Sequence, residues 1–216
     1  MTGKGRDLFM ARYWFLLKRW VALLGLTAVA AAAIFTAQTA ALQRGLAEKT
    51  LRLHVVANSD TDADQAQKLR VRDAVLETVG ALTEGCGSRA EAEQALGAGL
   101  GRVQAAAQSV LDAEGSGLTA RVSLEEQRFG TRSYDTFTLP AGVYRALCVR
   151  IGAAQGHNWW CVVFPSLCTA ASSEQAAQLA AAGGFDGDET ELVTDADGYI
   201  LRFKLLEWLD ELFSPH

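Results

Sequence analysis

Residues able to act as nucleophiles, general bases or metal ligands are scarce, with three histidines and four cysteines in 216 residues. His54 lies in the β-branched run Leu51-Arg52-Leu53-His54-Val55-Val56, His157 lies in a Gly-containing turn, and His216 is terminal. There is no G-x-S-x-G elbow to expose a serine. A His157–Cys161 pair on one strand would share a face at a separation of roughly 13 Å, beyond direct proton transfer. Zinc would need closely spaced cysteines or histidines, and neither occurs. Asp195-Ala196-Asp197-Gly198 resembles the middle of a calcium loop, but the loop would start at Val193 and end at Lys204, where carboxylates are required. Asp60-Thr61-Asp62-Ala63-Asp64 lacks the following glycine and closing glutamate, and reads as a helix cap. The sequence therefore predicts no catalytic residue, metal, cofactor or small-molecule substrate.

Interaction chemistry is better represented. Between about 62 and 80 an apolar stripe of Leu69, Val71, Val75, Leu76, Val79 and Leu82 includes Lys68 and Arg72, with Asp73 beside them. A guanidinium in such a stripe reaches to the rim, pairs with an acid, or is held for a partner. Trp159-Trp160 raises the same choice: on a strand the two indoles face opposite sides, so either both are core or one is presented as an interface anchor. Lys68, Arg72, Asp73, Trp159 and Trp160 are the candidate partner-binding residues.

The elements that would position them follow from charge and periodicity. Residues 1–19 carry five basic residues and one acidic, leaving fifteen Lys/Arg against twenty-four Asp/Glu beyond, a net charge of −9. An acidic body without a basic stripe argues against nucleic-acid binding. Residues 20–43 contain no charge and are long enough to span a bilayer, which needs roughly 20 apolar residues. Lys18 and Arg19 just before them place residues 1–19 in the cytoplasm and the body outside. Thr39 and Ala41 are small enough for a signal peptidase, so both an uncleaved anchor and a cleaved signal fit. Outside the cytoplasm, disulfides persist. A Cys161–Cys168 bridge folding back around Phe164-Pro165 is the leading pairing, while Cys86 and Cys148 read as small free hydrophobes.

The body reads as one α+β domain. The run Leu51–Ala57 is the first strand, and Thr61 or Asp62 caps a helix to about Gly80. Ser88-Arg89-Ala90-Glu91 is a capping box opening a second helix to about Asp112, weakened by Gly97, Gly99 and Gly101. From Leu118 the period becomes two, predicting strands at 119–128, 134–138, 143–151 and 158–164. Two long helices packed on a mainly antiparallel sheet are expected over 50–168. An Ala-rich and acidic segment follows at 169–198, with a short helix at 172–182 and a mobile loop at 183–198. A C-terminal amphipathic helix at 199–213 carries Leu201, Leu205, Trp208, Leu209 and Leu212 on one face.

Three ordered blocks resemble the stage II sporulation protein R family. They are Leu51-Arg-Leu-His54-Val-Val-Ala-Asn58-Ser59-Asp60 with Asp64-Gln65-Ala-Gln-Lys68-Leu-Arg-Val-Arg72-Asp73, then Leu139-Pro-Ala-Gly142-Val-Tyr144, then Gly156-His-Asn158-Trp159-Trp160-Cys161 through Cys168. The resemblance covers 50–168 and the stretch Arg202–Trp208. It implies export from the forespore into the intermembrane space, and activation there of a membrane-embedded aspartic protease that processes the precursor of the early mother-cell sigma factor. The catalysis would belong to that partner. An exported hydrolase or cell-wall-binding module is the alternative.

Overall fold

The structure, a computed structural model, describes residues 3–194, with side chains from residue 13 onward. It divides into a unit ending at Ala41 and a compact unit starting at Leu42. The described residues of the first unit are helical, within α1 (Gly3–Lys49). This helix is long and apolar enough to cross a membrane, and Trp20, Leu24, Leu26 and Val29 stand exposed along it.

The compact unit is built on a four-stranded mixed sheet in the order β2-β5-β1-β6. The strands are β1 (Leu51–Val56), β2 (Ala120–Phe129), β5 (Gly142–Ile151) and β6 (Asn158–Phe164). β1 runs parallel to β5, whereas β1–β6 and β2–β5 are antiparallel. The α+β architecture with two long helices is thus present. α2 (Asp62–Thr83) and α3 (Arg89–Ala113) form a hairpin on one sheet face. Thr61 caps α2 and Ser88 caps α3, each hydroxyl accepting the backbone N–H three residues on.

All six β1 residues are buried. A strand buried on both faces needs a layer on each. Leu51, Leu53 and Val55 face Val71, Val75, Val79, Leu96, Val103 and Leu111 in the main core. Leu69, expected on the buried stripe of α2, is instead 39% exposed, because the buried line runs through Lys68, Val71, Val75 and Val79. Gly99 is buried where a Cβ would lie 2.6 Å from Leu82 Cδ1, so this glycine lets the two helices approach closely.

Arg52, His54 and Val56 alternate onto the second face. It is partly covered by the end of α1, by a hairpin of β3 (Arg132–Ser133) and β4 (Thr138–Leu139), and by α4 (Ser173–Ala182) and α5 (Gly187–Thr194). The strand expected over 134–138 is therefore the turn of a hairpin. The Tyr134 N–H donates to Phe137 O at 2.8 Å, and the two rings stack at 4.3 Å. The acidic loop expected over 183–198 contains α5 through residue 194. Its cause is a capping box: the Asp186 N–H donates to Glu189 Oε2 at 2.8 Å, and the Glu189 N–H returns to Asp186 Oδ1 at 2.9 Å. Glu189 is also held at 2.5 Å by Lys49 at the end of α1. The amphipathic helix expected at 199–213 and the Asp195–Gly198 cluster lie outside the described residues.

Candidate interaction site

The first and third sequence blocks meet at the end of β1. After Ala57 the chain turns through Asn58-Ser59-Asp60 and packs on the β5–β6 turn, residues 152–157. Gln155 N–H donates to Asn58 O and Gly156 N–H to Ala57 O, while Asn58 Oδ1 accepts the Ala153 N–H at 2.9 Å. A Cβ on Gly156 would lie 2.1 Å from the Ser59 carbonyl oxygen, so only glycine permits this approach. Asp64, in the first turn of α2, accepts from Asn58 and from the Ser59 hydroxyl. Those bonds, Ser59 first, hold its carboxyl below the usual aspartate range.

Lys68 completes this latch. Its side chain is inside the fold, 5% exposed, and Nζ donates to Gln65 Oε1 at 2.6 Å and to His157 O at 3.0 Å. Burial, then the nearby Arg72 charge, pushes its pKa down. One turn further along α2, Arg72 lies half-buried with its guanidinium 5.0 Å from the centroid of Trp159. It forms an ion pair at 2.7 Å with the exposed Asp73. Lys68, Arg72, Asp73 and Trp159 thus gather on the α2/β6 side, with Lys68 serving the latch and Arg72 and Asp73 at the surface.

Trp160 points to the opposite sheet face, as alternation requires. Its indole stacks on His54 at 3.8 Å, meets Phe129 edge-on at 4.9 Å, and lies under the Arg132 guanidinium at 5.2 Å. His54 Nδ1 is 2.8 Å from Gln127 Oε1, and the Cys148 thiol donates to the same oxygen at 3.0 Å. Burial lowers the pKa of His54 and raises that of Cys148 to about 12, so both are neutral at physiological pH. Across the sheet, Ser123, Cys148, His54 and Trp160 form one register row.

Beside Trp160 opens a cleft of about 440 Å³, lined by Asp60, Arg132, Gln155, Gly156, His157, Asn158 and Trp160. In it Asp60 Oδ1 accepts from the His157 backbone N–H and faces His157 Nδ1, each at 2.5 Å. The backbone contact is the main reason its carboxyl titrates below the usual range. Among the described residues no serine, threonine or cysteine lines this cleft, so none offers the imidazole a hydroxyl or thiol to activate. Among the described residues no cluster of histidine, cysteine and carboxylates suits a metal.

Cys161 and Cys168 have Sγ atoms 2.22 Å apart and Cα atoms 6.1 Å apart. Cys168 Sγ also accepts the Val162 N–H at 3.0 Å. Cys86 is half-buried and Cys148 buried, both as thiols.

Sequence reasoning passed over Arg52, Arg132 and the role of Asp60. Arg52 and His54, spaced by two in an otherwise apolar strand, carried a usable signal: both had to enter one buried face.

Residues 47–174 match the family described as stage II sporulation protein R. The chain is also 29% identical over 185 residues to stage II sporulation protein R of Bacillus subtilis (strain 168), covering 77% of this chain and 83% of that protein. No solved structure matches.

Proposed function

The chain belongs to the stage II sporulation protein R family, and from that membership we propose that it is an exported sporulation signal. On this reading α1 is the anchor or signal segment, and the compact domain acts outside the cytoplasm, in the forespore intermembrane space. There it activates a membrane-embedded aspartic protease, and the protease processes the precursor of the early mother-cell sigma factor. The protein itself is a ligand and not an enzyme.

The observation that carries the ligand reading is the Arg72–Trp159 pair. An arginine over a half-buried tryptophan, with its other contact to an exposed aspartate, is pre-positioned at little conformational cost. Tryptophan and arginine are also the residue types that dominate binding energy at protein interfaces. Trp160 with Arg132 repeats the combination on the other sheet face. The Cys161–Cys168 bridge belongs to the exported state and ties β6 to the turn after it.

The test is cleavage of the sigma-factor precursor in cells carrying protease and substrate, with this protein exported, withheld, or bearing Arg72→Ala or Trp159→Ala. Cleavage only with the exported protein, and its loss in a folded Arg72→Ala variant, supports the reading. Cleavage without the protein overturns it. A second reading, an exported hydrolase or wall-binding module, draws on the Asp60–His157 cleft. It expects Asp60→Asn to abolish function while Arg72→Ala does not.

A further inference from the structure

Arg52 is fully buried, 0% exposed, on the central strand between Ala146 and Val162. Its guanidinium lies 4.0 Å from the centroid of Phe129 and 5.0 Å from that of Tyr144. Nη2 donates a hydrogen bond to the Tyr134 hydroxyl at 3.0 Å. Among the described residues Nε and Nη1 are buried without a hydrogen-bond partner, and no carboxylate pairs with the guanidinium. The Tyr144 hydroxyl is already committed to Pro140 O at 2.8 Å.

A guanidinium cannot shed its charge in a protein, and burying a charge without a counter-ion is strongly unfavourable. An aliphatic side chain would fill this position at lower cost, so the position calls for an explanation outside folding. We propose that Arg52 is an anion-binding residue whose ligand is a carboxylate of a partner polypeptide, admitted when the arm carrying Tyr134 swings off the sheet. The inference does not depend on the signalling role proposed above.

Three features define the ligand. The Tyr134 hydroxyl takes one of the two Nη2 hydrogens and so caps one bidentate edge of the fork, while the remaining donors, Nε and Nη1 among them, are closed off by burial until the arm moves. The Phe129 and Tyr144 rings, with centroids 4.0 and 5.0 Å from the guanidinium carbon and 5.8 Å from each other, close one side of it, and the planar fork beside them suits a planar carboxylate. The neighbours Ala146 and Val162 are buried and apolar, so one cation there balances a monoanion, whereas a phosphate dianion would bring an uncompensated charge. The arm suits a latch. β3 has two residues, both exposed, and it pairs only with β4, while Phe137 and Leu139 anchor the other side of the hairpin in the core. A segment with few ladder bonds opens at low free energy.

The test uses the full chain in detergent micelles and follows the Arg52 Nε–H resonance by NMR. It is titrated with the capped peptide acetyl-Ala-Glu-Ala-amide, its Gln counterpart, and inorganic phosphate at matched ionic strength. The Glu peptide is expected to shift the resonance saturably and the Gln peptide not to. Tyr134→Phe, which removes the blocking hydroxyl and keeps the ring, should tighten the apparent affinity by about tenfold, as expected when one hydrogen bond to a charged group no longer opposes opening. Arg52→Met and Arg52→Lys are followed through the Trp160 Nε1–H signal, and both should lose the response. Lysine keeps the charge but not the fork, which guards against a methionine variant that fails to fold. Equal response to the Gln peptide or to phosphate, retained binding in either Arg52 variant, or no saturable shift even in Tyr134→Phe would overturn the proposal.

Discussion

The imidazole of His54 stacks on the indole of Trp160 with ring centroids 3.8 Å apart and planes 14° from parallel. Burial is the main influence on this histidine and lowers its pKa against the opposing pull of the Gln127 hydrogen bond, with Arg150 lowering it further and Glu125 raising it. On acidification the unfolded chain therefore takes up a proton near the ordinary value of 6.5 before the folded protein does. Stability is accordingly full above that value and falls as pH drops through it, until the lower folded pKa is reached. Urea midpoints measured between pH 7.5 and 5.5 should decline in the wild type and decline less in His54→Gln. Equal slopes would refute this assignment.

The latch at the end of β1 gives a second expectation. Lys68→Met leaves the His157 carbonyl without its partner and should lower stability by about 1–3 kcal/mol, the range for a buried hydrogen-bonding group left unpaired. Urea unfolding followed by tryptophan fluorescence reads it, and a change below about 0.5 kcal/mol would mark Lys68 as a surface residue.

Gly156→Ala should be worse. The new Cβ would meet backbone, the Ser59 carbonyl oxygen at 2.1 Å, and backbone cannot rotate away as a side chain can. A loss of roughly 2 kcal/mol or more is expected, the size typical of overpacking. A melting temperature matching the wild type would contradict the observed turn.

Arg72→Ala should leave the fold nearly intact. Its ion pair with Asp73 is at the surface and its contact with Trp159 is partly exposed, so the expected change is about 1 kcal/mol or less. Precursor cleavage in cells should nonetheless fall sharply, and this separation of function from stability is what identifies a contact residue. Parallel losses would make the residue structural.

Thiol labelling distinguishes the two free cysteines. Cys148 is buried with a pKa raised to about 12, so it carries almost no thiolate at neutral pH, and the thiolate is the reactive form. Without reductant, iodoacetamide should modify the half-buried Cys86 in the native protein, and Cys148 only after denaturation. Mass spectrometry that found Cys148 modified first would reverse the assignment.

Much of the fold is legible in local patterns. Thr61 and Ser88 mark the two helix starts, and the period-two stretches locate β2, β5 and β6 to within a residue or two. Propensity could not show that β1 pairs in parallel with β5, because that register is set by which strands share the core. The β3–β4 hairpin escaped notice because Tyr134 and Phe137 are strand-forming residues that here close a turn. α5 was hidden because Gly187, Asp188 and Glu189 look like loop composition, although Asp186 and Glu189 have the spacing of a capping box. At the candidate site, Arg72 and Trp159 stand out from sequence as a misplaced charge and a paired indole. Their contact across α2 and β6 is tertiary. Lys68 looked equivalent to Arg72, and only three-dimensional proximity to His157 O separates the two.

The parallel ladder also bears on the order in which this chain can fold. Leu51 lies opposite Arg145 on one side and Phe164 on the other, so β1 emerges first and waits for the last two strands of its sheet. Closing such distant contacts is slow, because the intervening chain must be ordered before the contacts repay it. The α2–α3 hairpin can form from local contacts meanwhile. β1 itself has no ladder partner until residues 145–150 have been made and keeps one edge open until 158–164 follow, so a ribosome stalled upstream of β5 leaves the strand open to proteases. A chain passing end-on through a narrow channel gains from the same delay, since it remains threadable until β6 has followed.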